Sequence, residues 1–204
     1  MVNELVTHMT RASAPAPSVE TILHALLPHK FVDHTHADAV LAVTNTADGE
    51  KRIADIYDDK VVVIPYVMPG FDLARLCAEL FPKHAGKSTI GMVLLKHGIF
   101  SFGPTARESY ERMIALVDLA ERYLVQHKAW HVKPADHFIR DATQRLEIAS
   151  LRHQISGISG NPVVMATHQD ARTASFVRRP DISAMSQQGP ATPDHVIRTK
   201  RIPM

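Results

Sequence analysis

The chain has 204 residues, enough for one good-sized domain with an appendage. It is 45% hydrophobic and 22% charged, a globular make-up, and its formal net charge of +2 gives no reason to expect a nucleic-acid or anionic-membrane partner. Thirteen histidines are many for this length; histidine is the commonest metal ligand and titrates nearest neutral pH, so they point toward metal or acid–base chemistry.

Residues 1–17 are polar, end in "ASAPAP", lack an apolar stretch of signal-peptide length, and read as a flexible N-terminal arm. In "PSVETILHALLPHK", Val19, Ile22, Leu23, Leu26 and Leu27 recur at helical spacing, with Ser18 expected as N-cap and Pro28 as the stop. A short strand follows in "FVDHTH", which turns His34 and His36 to one face. "ADAVLAVTN" reads as a helix ended by a turn at "TADGE", and "KVVVIPY" as a buried strand. After "MPG", "FDLARLCAELF" reads as another helix; it carries Cys77, the single cysteine, which fits a reducing compartment. "STIGMVLLKHGIFSFG" predicts two strands meeting at "KHG". "TARESYERMIALVDLAERYLVQHK" predicts a long amphipathic helix with Met113, Ile114, Leu116, Val117, Ala120 and Leu124 inward, and "PADHFIRDATQRLEIASLRHQI" a further helix. From about residue 155 the pattern fades, so 18–154 is expected as the domain and 155–204 as a partly ordered extension. No apolar run approaches the ~20 residues of a membrane helix, and a cytoplasmic protein is expected.

The alternation of helices and strands predicts an α/β or α/β/α layered domain. His34, His36 and His97 all fall at strand ends, where α/β sheets gather their ligands. Three neutral imidazoles with one open position suit a catalytic zinc ion. Glu20, one short connection upstream, is the acid expected at this site, as fourth ligand or general base. Asp33 and Asp38 are expected to orient the imidazoles. His24, His29, His127, His131 and His137 read as surface or helix-face residues, "SGISG" as a flexible turn, and Arg178, Arg179, Arg198, Lys200 and Arg201 as solvated charge.

In order, "SVETILH", "DHTHADAV", "IPYVMPG", "LLKHGIFSFG" and "TARESYERM" resemble the class II aldolase/adducin family over residues 17–128. The wording, with "GPATPDHVIRTKR", is similar to the aldolase part of long bifunctional rhamnulose-phosphate aldolase/short-chain dehydrogenase proteins. The resemblance implies a three-layer α/β/α fold with a mixed, mainly antiparallel sheet, assembled as a homo-oligomer, usually a tetramer. It implies a zinc or other divalent ion on His34, His36 and His97, and Glu20 as acid/base. Ser18 matches one of the family's phosphate-binding serines, while Val19 departs from the other. The implied reaction is reversible aldol cleavage of a phosphorylated ketose. Pentulose-phosphate epimerisation and a catalytically silent metal-binding or assembly module are the alternatives. The family's N-terminal phosphate-binding motifs and a dinucleotide fingerprint are not found, so a fragment without NAD activity is expected.

Overall fold

A computed structural model describes residues 2–131, 142–167, 170–198 and 201–202. In chain order the elements are α1 (Val2–Thr7), α2 (Thr21–Leu26), β1 (Phe31–Thr35), α3 (Asp38–Thr44), α4 (Gly49–Tyr57), β2 (Val61–Ile64), α5 (Phe71–His84), β3 (Gly91–Leu94), β4 (Gly98–Gly103), α6 (Ala106–Gln126), α7 (Ala142–Ser159), α8 (Ala171–Val177), α9 (Ile182–Ser186) and α10 (Pro193–Arg198). They fall into two compact units, Met1–Ala129 with Gly189–Arg201, and Trp130–Gln188 with Ile202–Met204.

The first unit is built on a four-stranded sheet in the order β1-β4-β3-β2. β1 runs antiparallel to β4, β4 antiparallel to β3, and β2 parallel to β3, so the sheet is mixed and mainly antiparallel. The register pairs Thr35 with Ile99, Leu94 with Gly98, and Ile64 with Leu94. The last residues of β1, β2 and β3 and the first of β4 therefore share one end of the sheet.

Alternation along the strands divides the core in two. Val62, Ile64, Met92, Leu94, Phe100 and Phe102 pack with Leu23 and Leu27 of the α2 region and with Leu73, Ala74, Cys77 and Phe81 of α5. Val61, Val93 and Ile99 face the other way, against Val40 and Val43 of α3, Ile53 and Tyr57 of α4, and Met113, Leu116 and Ala120 of α6. The result is the three-layer α/β/α arrangement. Tyr57 is buried with its hydroxyl donating to the Leu116 carbonyl at 2.9 Å, so the ring's one polar atom is satisfied.

Several local expectations change. Helix α2 begins at Thr21 with Glu20, not Ser18, at its N-cap, and no side chain caps it. The Ser18 hydroxyl is instead engaged with Glu20 itself, accepting from its backbone N–H at 3.1 Å. Leu27 is extended (ψ 128°), as a residue before proline prefers, and ends the helix. Gly49–Tyr57, which begins inside the "TADGE" turn and to which the sequence pattern assigns no helix, forms α4. Ile114 of α6 is 53% exposed and does not join the core, unlike Met113, Leu116, Ala120 and Leu124. "SGISG" is the last turn of α7, closed by Gly160 in the left-handed region (φ 69°) that a residue without Cβ adopts freely. His29 is not a plain surface residue: its ring stacks on Phe102 with centroids 3.9 Å apart, and burial lowers its pKa. His24, His127 and His131 are exposed; His137 and Lys200 lie outside the described residues.

Candidate metal centre

The shared sheet end gathers the site. His34 is the penultimate residue of β1, and His36 follows the strand. His97 sits in the tight β3–β4 connection, where Lys96 takes a left-handed backbone (φ 60°) and the His97 N–H donates to Leu94 O at 3.1 Å. Glu20 enters from the start of α2, which packs on α5 beside the sheet.

One atom of Glu20, Oε1, lies 3.0 Å from His97 Nε2, 3.4 Å from His34 Nε2 and 3.6 Å from His36 Nε2. His34 Nε2 and His36 Nε2 are 3.1 Å apart. Four ligands at zinc's bond length of 2.0–2.1 Å form a tetrahedron with edges of about 3.3–3.4 Å. The separations scatter around that edge length, and one ligand atom from each of the four residues lies within 4.8 Å of every other. The constellation can hold a metal ion.

The outer faces of the rings strengthen this. His34 Nδ1 lies 3.0 Å from the Ile99 carbonyl. A carbonyl oxygen only accepts, so Nδ1 carries the proton and donates, and Nε2 presents its lone pair. His36 Nδ1 lies 3.0 Å from Asp194 Oδ2, again an acceptor. Two nitrogen lone pairs and a carboxylate oxygen thus converge within 3.6 Å, a mutual repulsion that a cation or a proton relieves. His97 Nδ1 is buried with no hydrogen-bond partner among the described residues.

The electrostatics agree with a ligand set. The imidazoles of His34 and then His97 beside it hold the Glu20 carboxyl well below the usual carboxylate range, outweighing its desolvation. Burial lowers the His34 pKa, only partly offset by Glu20, so its imidazole is neutral at pH 7, the form that ligates. His97 and His34 are deep, with 3% and 8% of their side chains exposed, while Glu20 at 22% and His36 at 15% face an opening to solvent.

All four residues singled out in the sequence meet here. Ser18 is adjacent, its hydroxyl 3.5 Å from Glu20 Oε2. Asp33 and Asp38 do not orient the imidazoles. Asp33 alternates with His34 on β1 and faces the other side of the sheet, and Asp38 opens α3. The carboxylate on His36 is Asp194, which sequence reasoning missed: it lies 158 residues away and no spacing rule connects them.

The class II aldolase and adducin N-terminal domain family matches residues 2–124, and the aldolase class II second domain matches residues 142–204. The chain belongs to the class II aldolase/adducin family. It is 33% identical over 210 residues to an uncharacterized oxidoreductase, YuxG, of Bacillus subtilis (strain 168), matching all of this chain and 30% of that protein. It is similar to the N-terminal class II aldolase domain of a conserved protein from Thermoplasma acidophilum, with 47% identity and a TM-score of 0.53 over 60% of this chain and 55% of that one. The chain therefore spans about a third to a half of the length of these relatives. Among the described residues no helix is long and apolar enough to cross a membrane.

Proposed function

We propose that this chain is a metal-dependent aldolase-type lyase that reversibly cleaves a phosphorylated ketose, working as a homo-oligomer. The observation that carries the reading is the convergence of Glu20 Oε1 with the Nε2 atoms of His34, His36 and His97. Zinc suits a set of three imidazoles and one carboxylate best. A bound divalent ion supplies Lewis acidity, stabilising negative charge that builds on a carbonyl and its neighbouring hydroxyl when the adjacent carbon–carbon bond breaks.

The chain's own residues do the rest. His34, deep and neutral, and His97, deep and without an outer partner among the described residues, form the floor of the site. Glu20, partly exposed and ionised, is placed to accept a proton from substrate on the solvent side and to return it in the reverse direction. Ser18, with its exposed hydroxyl beside Glu20, is the first phosphate or substrate contact to test. The length of YuxG and the oxidoreductase in its name support, as part of the same reading, a relation to the aldolase part of longer two-activity proteins.

The test is zinc content of the purified chain beside His34→Ala and Glu20→Gln, followed by a panel of ketose phosphates. About one zinc per chain, lost in His34→Ala, with aldehyde released by wild type and not by Glu20→Gln, is expected. Isomer formation without aldehyde would make it an epimerase. Metal uptake with no turnover of any substrate would leave a silent binding module.

A further inference from the structure

Among the site's features, the Asp194–His36 contact is the one that the aldolase reading leaves unexplained. Three imidazoles face Glu20, yet their outer nitrogens are held differently. His34 is fixed by the Ile99 carbonyl of β4, a backbone acceptor that no substitution removes. His97 Nδ1 has none among the described residues. Among the described residues His36 alone has its outer nitrogen held by a side chain, Asp194 Oδ2 at 3.0 Å, from the first turn of α10. The segment bearing it is fastened to the same unit a second time: Asn45 Nδ2, just after α3, donates to the Ala191 carbonyl at 2.8 Å.

We propose that Asp194 is a positioning residue for the metal centre: its carboxylate accepts the His36 Nδ1 proton, locking the tautomer whose Nε2 lone pair points at Glu20 and the ion. The proposal rests on the metal reading above. His36 has the greatest need of such a partner among the three. It lies past the end of β1, outside the ladder that holds His34, and its ring is more exposed than those of His34 and His97. Without Asp194 an imidazole in water favours the other tautomer, with the proton on Nε2 where the metal must bind. The carboxylate also makes Nε2 a more basic ligand and adds a negative charge beside the cation. Removal of such an outer partner typically weakens metal binding about 10–100-fold.

Two measurements on the full chain test this. Zinc affinity is read by competition with a chromophoric chelator, for wild type, Asp194→Ala, Asp194→Asn and Val196→Ala. Val196 is exposed on the same helix and serves as the control for helix disruption. Asp194→Ala should bind zinc about 10–100-fold more weakly, Asp194→Asn, which keeps an acceptor oxygen, should lose less, and Val196→Ala should match wild type. In parallel, long-range proton–nitrogen NMR of the metal-free chain reads the tautomers. His36 should carry its proton on Nδ1 in wild type and lose that preference in Asp194→Ala, while His34 keeps its own in every variant. Equal zinc affinity and an unchanged His36 tautomer in Asp194→Ala would overturn the inference and leave the metal reading standing. If wild type takes up no zinc, the metal reading falls. The tautomer comparison then decides the role of Asp194 by itself.

Discussion

Gly98 is where the sheet and the site constrain one another most tightly. A Cβ there would stand 2.6 Å from the Thr35 carbonyl oxygen and 3.0 Å from both His34 Cε1 and His36 Cδ2. None of the three can yield cheaply: the carbonyl is backbone of the neighbouring strand, and the two rings are the proposed ligands. The glycine after His97 thus leaves the room in which the imidazoles of His34 and His36 lie. Gly98→Ala should destabilise the chain by about 1–3 kcal/mol through overpacking, visible in thermal unfolding, and should weaken zinc binding at least about tenfold, since it moves two ligands where loss of one outer partner already costs that much. A variant that melts lower but binds zinc as wild type does would show that the close approach matters for folding only.

The charge states of the same residues set an acid limit on the metal-free chain. Burial lowers the His34 pKa from 6.5, so below that pH the unfolded chain takes up a proton that the folded chain resists. The Glu20 carboxyl is lowered from 4.5, so its contribution is fully present above that value and is lost as pH falls below it. In both windows the unfolded state binds more protons, and stability falls with acid. Urea unfolding should show a decline from 6.5 downward and a steeper one below 4.5, the latter reduced in Glu20→Gln. An identical acid profile for wild type and Glu20→Gln would rule out the coupling of Glu20 to the imidazoles. The four residues of the cluster were legible in the sequence because two lie two apart at a strand end, one precedes a glycine at a strand turn, and the acid opens the preceding helix. Asp194 was not legible, since its contact with His36 exists only once the fold has brought α10 beside the end of β1.

At the scale of elements, α6 shows what periodicity can and cannot assign. Met113, Leu116, Ala120 and Leu124 recur at three and four residues and are buried, against β4 and α3. Ile114 is apolar but one position out of phase with Met113, roughly 100° around the helix, and half its surface faces solvent. Leu116→Ala should therefore cost about 2–5 kcal/mol and Ile114→Ala a few tenths, as for a surface change; comparable losses from urea unfolding would contradict this packing of α6. The same reasoning explains why α4 escaped the sequence reading. In "GEKRIADIY" Ile53 and Tyr57 alone are buried apolar side chains, and two anchors four apart give too short a stripe to register beside an Ala-Asp-Gly turn. The strands were easier, because β-branched runs such as "VVVI" pack on both faces of the central layer.

For the molecule as a whole, the candidate metal site is a long-range tie. Its side chains come from the start of α2, the end of β1 and the β3–β4 turn, and His97 reaches across 77 residues to Glu20. The unfolded chain holds no such arrangement, so an ion that binds the native state stabilises it by mass action: at a hundred times Kd the gain is about 2.7 kcal/mol. For a chain of this size each kcal/mol moves the midpoint by about 2–4 °C, so saturating zinc should raise the melting temperature of the unit built on the sheet by roughly 5–10 °C, and a chelator should reverse it. His34→Ala should abolish the shift without abolishing folding: it removes a ring stacked on Phe100, but the apolar side chains of both sheet faces still pack with one another. Magnesium should produce little shift, since it prefers octahedral oxygen ligands. A zinc shift that survives in His34→Ala would place the bound ion elsewhere, among the chain's other histidines. The convergence at the sheet end would then be an arrangement of hydrogen bonds, with Glu20 accepting from protonated imidazoles where the metal reading has it coordinating an ion.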